Sequence, residues 1–183
     1  MGDMPRRSFL QAALAVFPLT VIGQSSGPHA ADSAVHVEAG ADRFNEHLKL
    51  AGANLFACKV ATRDTGGGLY IFEQTHLRKG GPPLHLHHAQ EEWFYVIAGE
   101  YIAEVGKERF RLHPGDSLLA PREIPHAFAR VGENAGKMIV AFQPAGQMEA
   151  FFHESAKLPD FPASPDLFRA HGMEVVGPPL SVE

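Results

Sequence analysis

From Asn54 to Phe142 the apolar residues come in short runs, several of them alternating with polar ones, and turn residues separate them. Alternation with a period of two marks strands that bury one face. Asn54–Ala61 (NLFACKVA) and Gly68–Leu77 (GLYIFEQTHL) read as strands, with Asp64–Gly67 as the loop between them. Leu84–His87 and Glu92–Ala98 follow. Glu100–Val105 and Arg109–His113 form a hairpin around Gly106-Lys107. Ser117–Ala120, Ala127–Val131 and Met138–Phe142 complete the set. Many short strands joined by tight turns predict a small sandwich or barrel. Ahead of them, Val35–Ala53 is a polar lead-in with room for an edge strand. After Pro144 the period changes. Gln147–Lys157 carries Met148, Phe151 and Phe152 on one helical side. Past the proline-rich connector Pro159–Pro165, Ser164 is set to cap a short helix with Pro165 in its first position, running to Ala170 and ended by Gly172. The Gly177-Pro178-Pro179 tail reads as extended. These helices are expected to cover an open barrel end or a sheet edge, with no chemistry of their own.

Composition agrees with this reading. The 18 glycines and 14 prolines among 183 residues favour turns over long helices. A net charge of −5 leaves no basic excess for a nucleic-acid surface. The single Cys58 excludes an intrachain disulfide and, set in an apolar run, reads as a small buried hydrophobe.

The chemistry concentrates in Gly80–Gly99 (GGPPLHLHHAQEEWFYVIAG). On a strand, residues two apart share a face, so His85 and His87 point one way. After a short turn, Glu92 on the next strand can meet them, while Glu91 faces the opposite side and His88 faces away from His87. Two imidazoles and a carboxylate form a divalent-metal site with open positions. A further donor is available in Pro114–Arg130 (PGDSLLAPREIPHAFAR), where His126 opens a strand after a turn. His76, His113 and His153 read as ordinary polar residues.

These two stretches resemble the two motifs of the cupin superfamily. His85, His87, Glu92 and Gly99 fit the first, although Gly80 stands one residue too close to His85 to be its leading glycine. Gly115, Pro121 and His126 fit the second, with Glu123 in place of its last glycine and Arg130 in place of its asparagine. The resemblance implies an all-β cupin (double-stranded β-helix, or jelly-roll) barrel over residues 35–145. Residues 146–183 would then be a helical and extended tail packed on it. It implies one divalent transition metal (Fe, Mn, Ni, Co, Cu or Zn) held by His85, His87, Glu92 and His126. Phe94, Val96 and Phe128 share the inward faces of these strands and are candidates for an apolar substrate pocket. Arg130 is in register with His126 and expected near the barrel mouth. No arginine or lysine is evidently placed to clamp a sugar phosphate.

Asp64–Glu100, with its Gly80-Gly81-Pro82-Pro83 lead-in, is similar to bacterial single-domain cupins of the quercetin 2,3-dioxygenase type. In that family the metal holds a flavonol oxygen, the ligand glutamate can take the substrate's proton, and dioxygen opens the ring. The implied activity is a dioxygenase acting on a small aromatic, flavonol-like substrate, with Glu92 as ligand and base. Three alternatives remain: a germin-like manganese oxidase or superoxide dismutase, a sugar isomerase or epimerase, and a non-catalytic metal-dependent binder of small molecules. A homodimer formed through exposed sheet edges is also implied.

The first 34 residues resemble a Tat export signal. Arg6-Arg7-Ser8-Phe9-Leu10-Gln11 supplies the twin arginine, and Phe9–Gly23 is apolar but interrupted by Pro18. That stretch is too short for a stable membrane span. The resemblance implies a periplasmic or secreted protein with no stable span after processing.

Overall fold

The computed structural model describes residue 31 and residues 33–50, 54–158 and 164–182. Nearly all of the expected export signal, and residues 159–163 of the proline-rich connector, lie outside the described residues. Among the described residues no helix is long and apolar enough to cross a membrane.

Besides a 3-10 turn at Thr62–Thr65, the described residues form eleven strands and two α-helices, in this order: β1 (Leu48–Leu50), β2 (Asn54–Val60), β3 (Tyr70–His76), β4 (Pro83–His87), β5 (Glu91–Ala98), β6 (Tyr101–Val105), β7 (Glu108–Leu112), β8 (Ser117–Ala120), β9 (His126–Arg130), β10 (Gly136–Gln143), α1 (Met148–Ser155), α2 (Pro165–Ala170) and β11 (Met173–Pro179). They build two antiparallel sheets, ordered β1-β2-β3-β10-β5-β8 and β11-β4-β9-β6-β7. The fold is an all-β jelly-roll barrel, with the core between the two sheets. The expected strands are present with ends shifted by one or two residues, and the lead-in does supply an edge strand, β1.

Alternation explains which faces meet. On β5, Glu92, Phe94 and Val96 turn inward, while Trp93, Tyr95 and Ile97 remain partly exposed. On β3 the inward set is Tyr70, Phe72, Gln74 and His76. Cys58 is buried as expected, and burial pushes its thiol up to about 12. Backbones approach closely where Gly81 crosses β9: a Cβ there would lie 1.7 Å from the Phe128 carbonyl oxygen. Only glycine fits such a crossing.

The chain after Pro144 does more than cover an edge. Met173–Pro179 is a strand, paired antiparallel with β4 so that Met173 stands opposite His87 and Val175 opposite His85. The register slips on either side of Gly177, next to two prolines that have no N–H to donate. That irregularity hid the strand from the hydrophobic pattern. Ser164 caps α2 as expected, its hydroxyl accepting the Leu167 amide at 3.4 Å. Phe152 of α1 packs into the core, 4.7 Å from Phe72 and 5.3 Å from Phe56 between ring centroids.

Candidate metal centre

Four polar side chains meet in the middle of the barrel. His85 and His87 come from β4, Glu92 from β5 and His126 from the start of β9, where His126 is the register partner of His85. All four are buried. One potential ligand atom from each lies within 4.8 Å of those of the other three. Both His87 Nε2, at 3.1 Å, and His126 Nε2, at 2.9 Å, contact the same oxygen, Glu92 Oε2. The His85 and His126 ring centroids are 4.7 Å apart, and the His87 and His126 rings stack at 5.4 Å.

Backbone carbonyls set the rings. His85 Nδ1–H donates to the Pro83 carbonyl at 2.8 Å, and His126 Nδ1–H donates to the Ile124 carbonyl at 2.9 Å. A carbonyl only accepts, so each Nδ1 holds the proton and each Nε2 turns toward the cluster. Burial pushes the His85 pKa down to about 3, with the neighbouring His126 adding to the effect. For Glu92, burial works to raise the pKa. The hydrogen bonds from His126 and His87 outweigh it and hold the carboxyl ionised, well below the usual range.

This donor set fits a divalent first-row cation. His126 bridges a carbonyl and an ionised carboxylate, both pure acceptors, so without a cation it must carry two protons. A cation shared by the Nε2 atoms and Glu92 removes that requirement and neutralises the buried carboxylate. His87 Nδ1 is buried with no partner among the described residues, so no carbonyl dictates its tautomer. The carbonyl bonds behind His85 and His126 are the outer support that metal-bound histidines commonly have. His85, His87, Glu92 and His126 could therefore hold one metal ion, whose identity the donors do not select.

The alternation argument for Glu92 holds: Glu91 faces outward and pairs with Arg122 at 2.5 Å. His88 is exposed beside Glu123, and His113 is exposed beside Asp116. Glu123, at the second motif's glycine position, has φ +62°, a left-handed conformation that glycine adopts without strain. Its amide donates to the His87 carbonyl at 2.8 Å, so the turn keeps its shape despite the side chain.

A cavity of about 280 Å³ opens beside the cluster. Phe128 lines it. Phe94 and Val96 do not: they are packed in the core, where Phe94 backs His126 and Phe128. The aromatic wall comes instead from Phe72, Phe142, Phe151, Phe152 and Phe168, with Met173. Phe168 lies edge-on to His85 at 5.5 Å. The C-terminal segment, read as free of chemistry, thus walls the site.

Next to Phe72 on the same face of β3, the lining turns polar. Gln74 and His76 of β3 face the cavity, and Arg78 and Lys79 stand at its end. His76 is no ordinary surface histidine: it is 1% exposed, and burial pushes its pKa down to about 3. The signal was its place in register with Tyr70 and Phe72 on the inward face. Arg78 and Lys79 supply the basic groups that the sequence did not evidently place there. Arg130 does not reach the mouth. It is buried and donates to the carbonyls of Arg78 at 3.0 Å, Asn134 at 2.6 Å and Gly132, tying down the loops at that end.

Residues 74–142, which span this cluster, match the family described as Cupin domain. The chain is 28% identical over 61 residues to an uncharacterised protein of Methanocaldococcus jannaschii, covering 33% of this chain and 49% of that one. It is 27% identical over 75 residues to a protein named polyketide synthase CurC from Streptomyces cyaneus, covering 41% and 49%. The chain spans about half the length of these curated relatives. Among solved structures it is similar to KdgF from Halomonas, with TM-score 0.48 and 22% identity over 54% of this chain and 86% of that one. It is likewise similar to an RmlC-like cupin from Shewanella frigidimarina, with TM-score 0.48 and 21% identity over 57% and 87%.

Proposed function

We propose that the protein is a metal-dependent cupin dioxygenase acting on a small aromatic, flavonol-like substrate. The supporting observation is the aromatic cavity that reaches the three-histidine, one-carboxylate cluster. His85, His87, Glu92 and His126 would hold the ion, which when bound supplies a Lewis-acidic centre for a substrate oxygen. Glu92 is ionised, and both imidazole contacts fall on Oε2. Oε1 has no partner among the described residues, so it is the atom to accept the substrate's proton. The phenyl wall orients a flat ring and excludes bulk water. The chain would be exported by the Tat pathway to the periplasm or beyond and act as a homodimer, with a small molecule and dioxygen as its partners.

The test is oxygen uptake. Protein loaded in turn with iron, manganese, nickel, cobalt or copper should consume dioxygen when supplied with a flavonol or a catechol, and Glu92→Gln should abolish this. Activity on oxalate with none on any phenolic compound would favour the germin-like alternative. The polar strip ending in Arg78 and Lys79 favours a second reading, an isomerase or epimerase of an anionic sugar. Turnover of such a sugar without oxygen would select it.

A further inference from the structure

The β3 side of the cavity presents two mostly buried polar side chains to it. Gln74 is 6% exposed and lines the cavity. Two residues on, His76 is 1% exposed, and the hydrogen bond its ring makes is between Nδ1 and the Tyr101 hydroxyl, at 3.0 Å. Two polar side chains on one inward face, both with hydrogen-bonding capacity open to one cavity, can serve a ligand there.

The network assigns the proton on His76. Tyr101 is fully buried, and His76 Nδ1 is the acceptor in reach of its hydroxyl among the described residues. If the imidazole donated to the phenol oxygen, the phenol's own hydrogen would have no acceptor. Tyr101 O–H therefore donates to Nδ1, and the proton of the neutral ring sits on Nε2. The arrangement is built in: a Cβ at residue 136 would lie 2.3 Å from the Tyr101 oxygen, so Gly136, across from His76 on β10, makes room for it.

We propose that Gln74 and His76 form a second recognition pole, which binds an acceptor oxygen of the substrate at a point remote from the metal-bound oxygen, with Tyr101 as positioning residue. The inference rests on the small-aromatic reading above. It narrows the substrate class to aromatic compounds that carry a carbonyl or carboxylate oxygen besides the hydroxyl directed to the metal. Nε2–H of His76 and the Gln74 amide N–H donate to that oxygen, while the phenyl wall holds the ring between the two poles.

Catechol and 3,4-dihydroxyacetophenone differ by one acetyl group, which carries the carbonyl. Their Kd values are measured by calorimetry on cobalt-loaded protein under argon, where no turnover occurs. Wild type should bind the ketone about tenfold more tightly than catechol, the value of about 1.4 kcal/mol of new hydrogen bonding. Gln74→Leu and Tyr101→Phe should each reduce that preference to about threefold or less, with metal content unchanged. Gln74→Leu carries the test alone if Tyr101→Phe fails to fold. Equal affinities in wild type, or a preference that survives in every folded variant, would overturn the second pole and leave the phenolic site standing. If neither compound binds the metal-loaded wild type, both readings fall together.

Discussion

The two polar walls of the cavity differ in one respect that decides their chemistry. On β4, β5 and β9 the buried groups largely answer one another: two imidazoles share a carboxylate oxygen, and two ring N–H groups donate to backbone carbonyls, while His87 Nδ1 has no partner among the described residues. What that wall lacks is a positive charge without a proton. On β3, the hydrogen bond recorded for the Gln74 and His76 side chains is the one to the Tyr101 hydroxyl, and both residues line the cavity. What that wall offers is hydrogen-bonding capacity facing the cavity. Burial alone therefore does not identify a site; what the buried groups face does, and it indicates whether an ion or an organic ligand should meet them.

The contrast breaks first at the ligands. Glu92→Ala and His126→Ala should each weaken metal affinity by more than about 100-fold, beyond the usual loss for an outer-sphere change. Glu91→Ala should change it by less than about threefold. Competition with a chromogenic chelator measures all three, and equal effects at Glu91 and Glu92 would mean that β5 is in the wrong register. The next effect is on the aromatic wall. Phe168→Ala removes a ring that is 1% exposed and packed on His85, and it should cost about 3 kcal/mol in urea unfolding. A loss below about 1 kcal/mol would mean that α2 is not docked.

Acid offers a third test. His76 and His85 both titrate at about 3 in the fold, because burial disfavours their charged forms. Unfolded, they titrate near about 6.5. Between these values the unfolded chain binds protons that the fold does not, so the metal-free protein should lose stability as pH falls from about 6.5 toward 3. Each histidine contributes up to about 1.4 kcal/mol per pH unit. Glu92 acts in the same direction lower down: its folded pKa is depressed, so its contribution is full above its ordinary value of 4.5 and fades as pH falls below it. His76→Phe should flatten the upper part of the profile by about half. The smallest effect is at the turn behind His87. Glu123→Gly relieves a φ of +62° and gives up only an exposed pair with His88, so it should raise Tm by a few degrees, about 1 kcal/mol.

Most of the barrel and of the four-residue cluster is legible in the amino-acid sequence, because strand alternation is local. His85 and His87, two apart, and Glu92, with its place in β5, follow from period and spacing. His126 needed the turn chemistry around Pro121 and Pro125. The cavity is not legible in this way. Its aromatic walls come from β3, β10, α1, α2 and β11, which sequence separation keeps apart and only packing assembles. Phe94 and Val96 share an inward face with Glu92, but a strand's face says that a residue is buried, not whether it meets protein or a void. β11 escaped because glycine and prolines interrupt its pattern, although they only slip its register against β4.

Elemental analysis of the protein, purified without added metal or chelator, bears most directly on the four-residue centre, with Glu92→Ala prepared alongside. Wild type should carry close to one transition-metal ion per chain, and Glu92→Ala nearly none. A wild type free of metal, or a Glu92→Ala variant that retains the full complement, would contradict the metal centre.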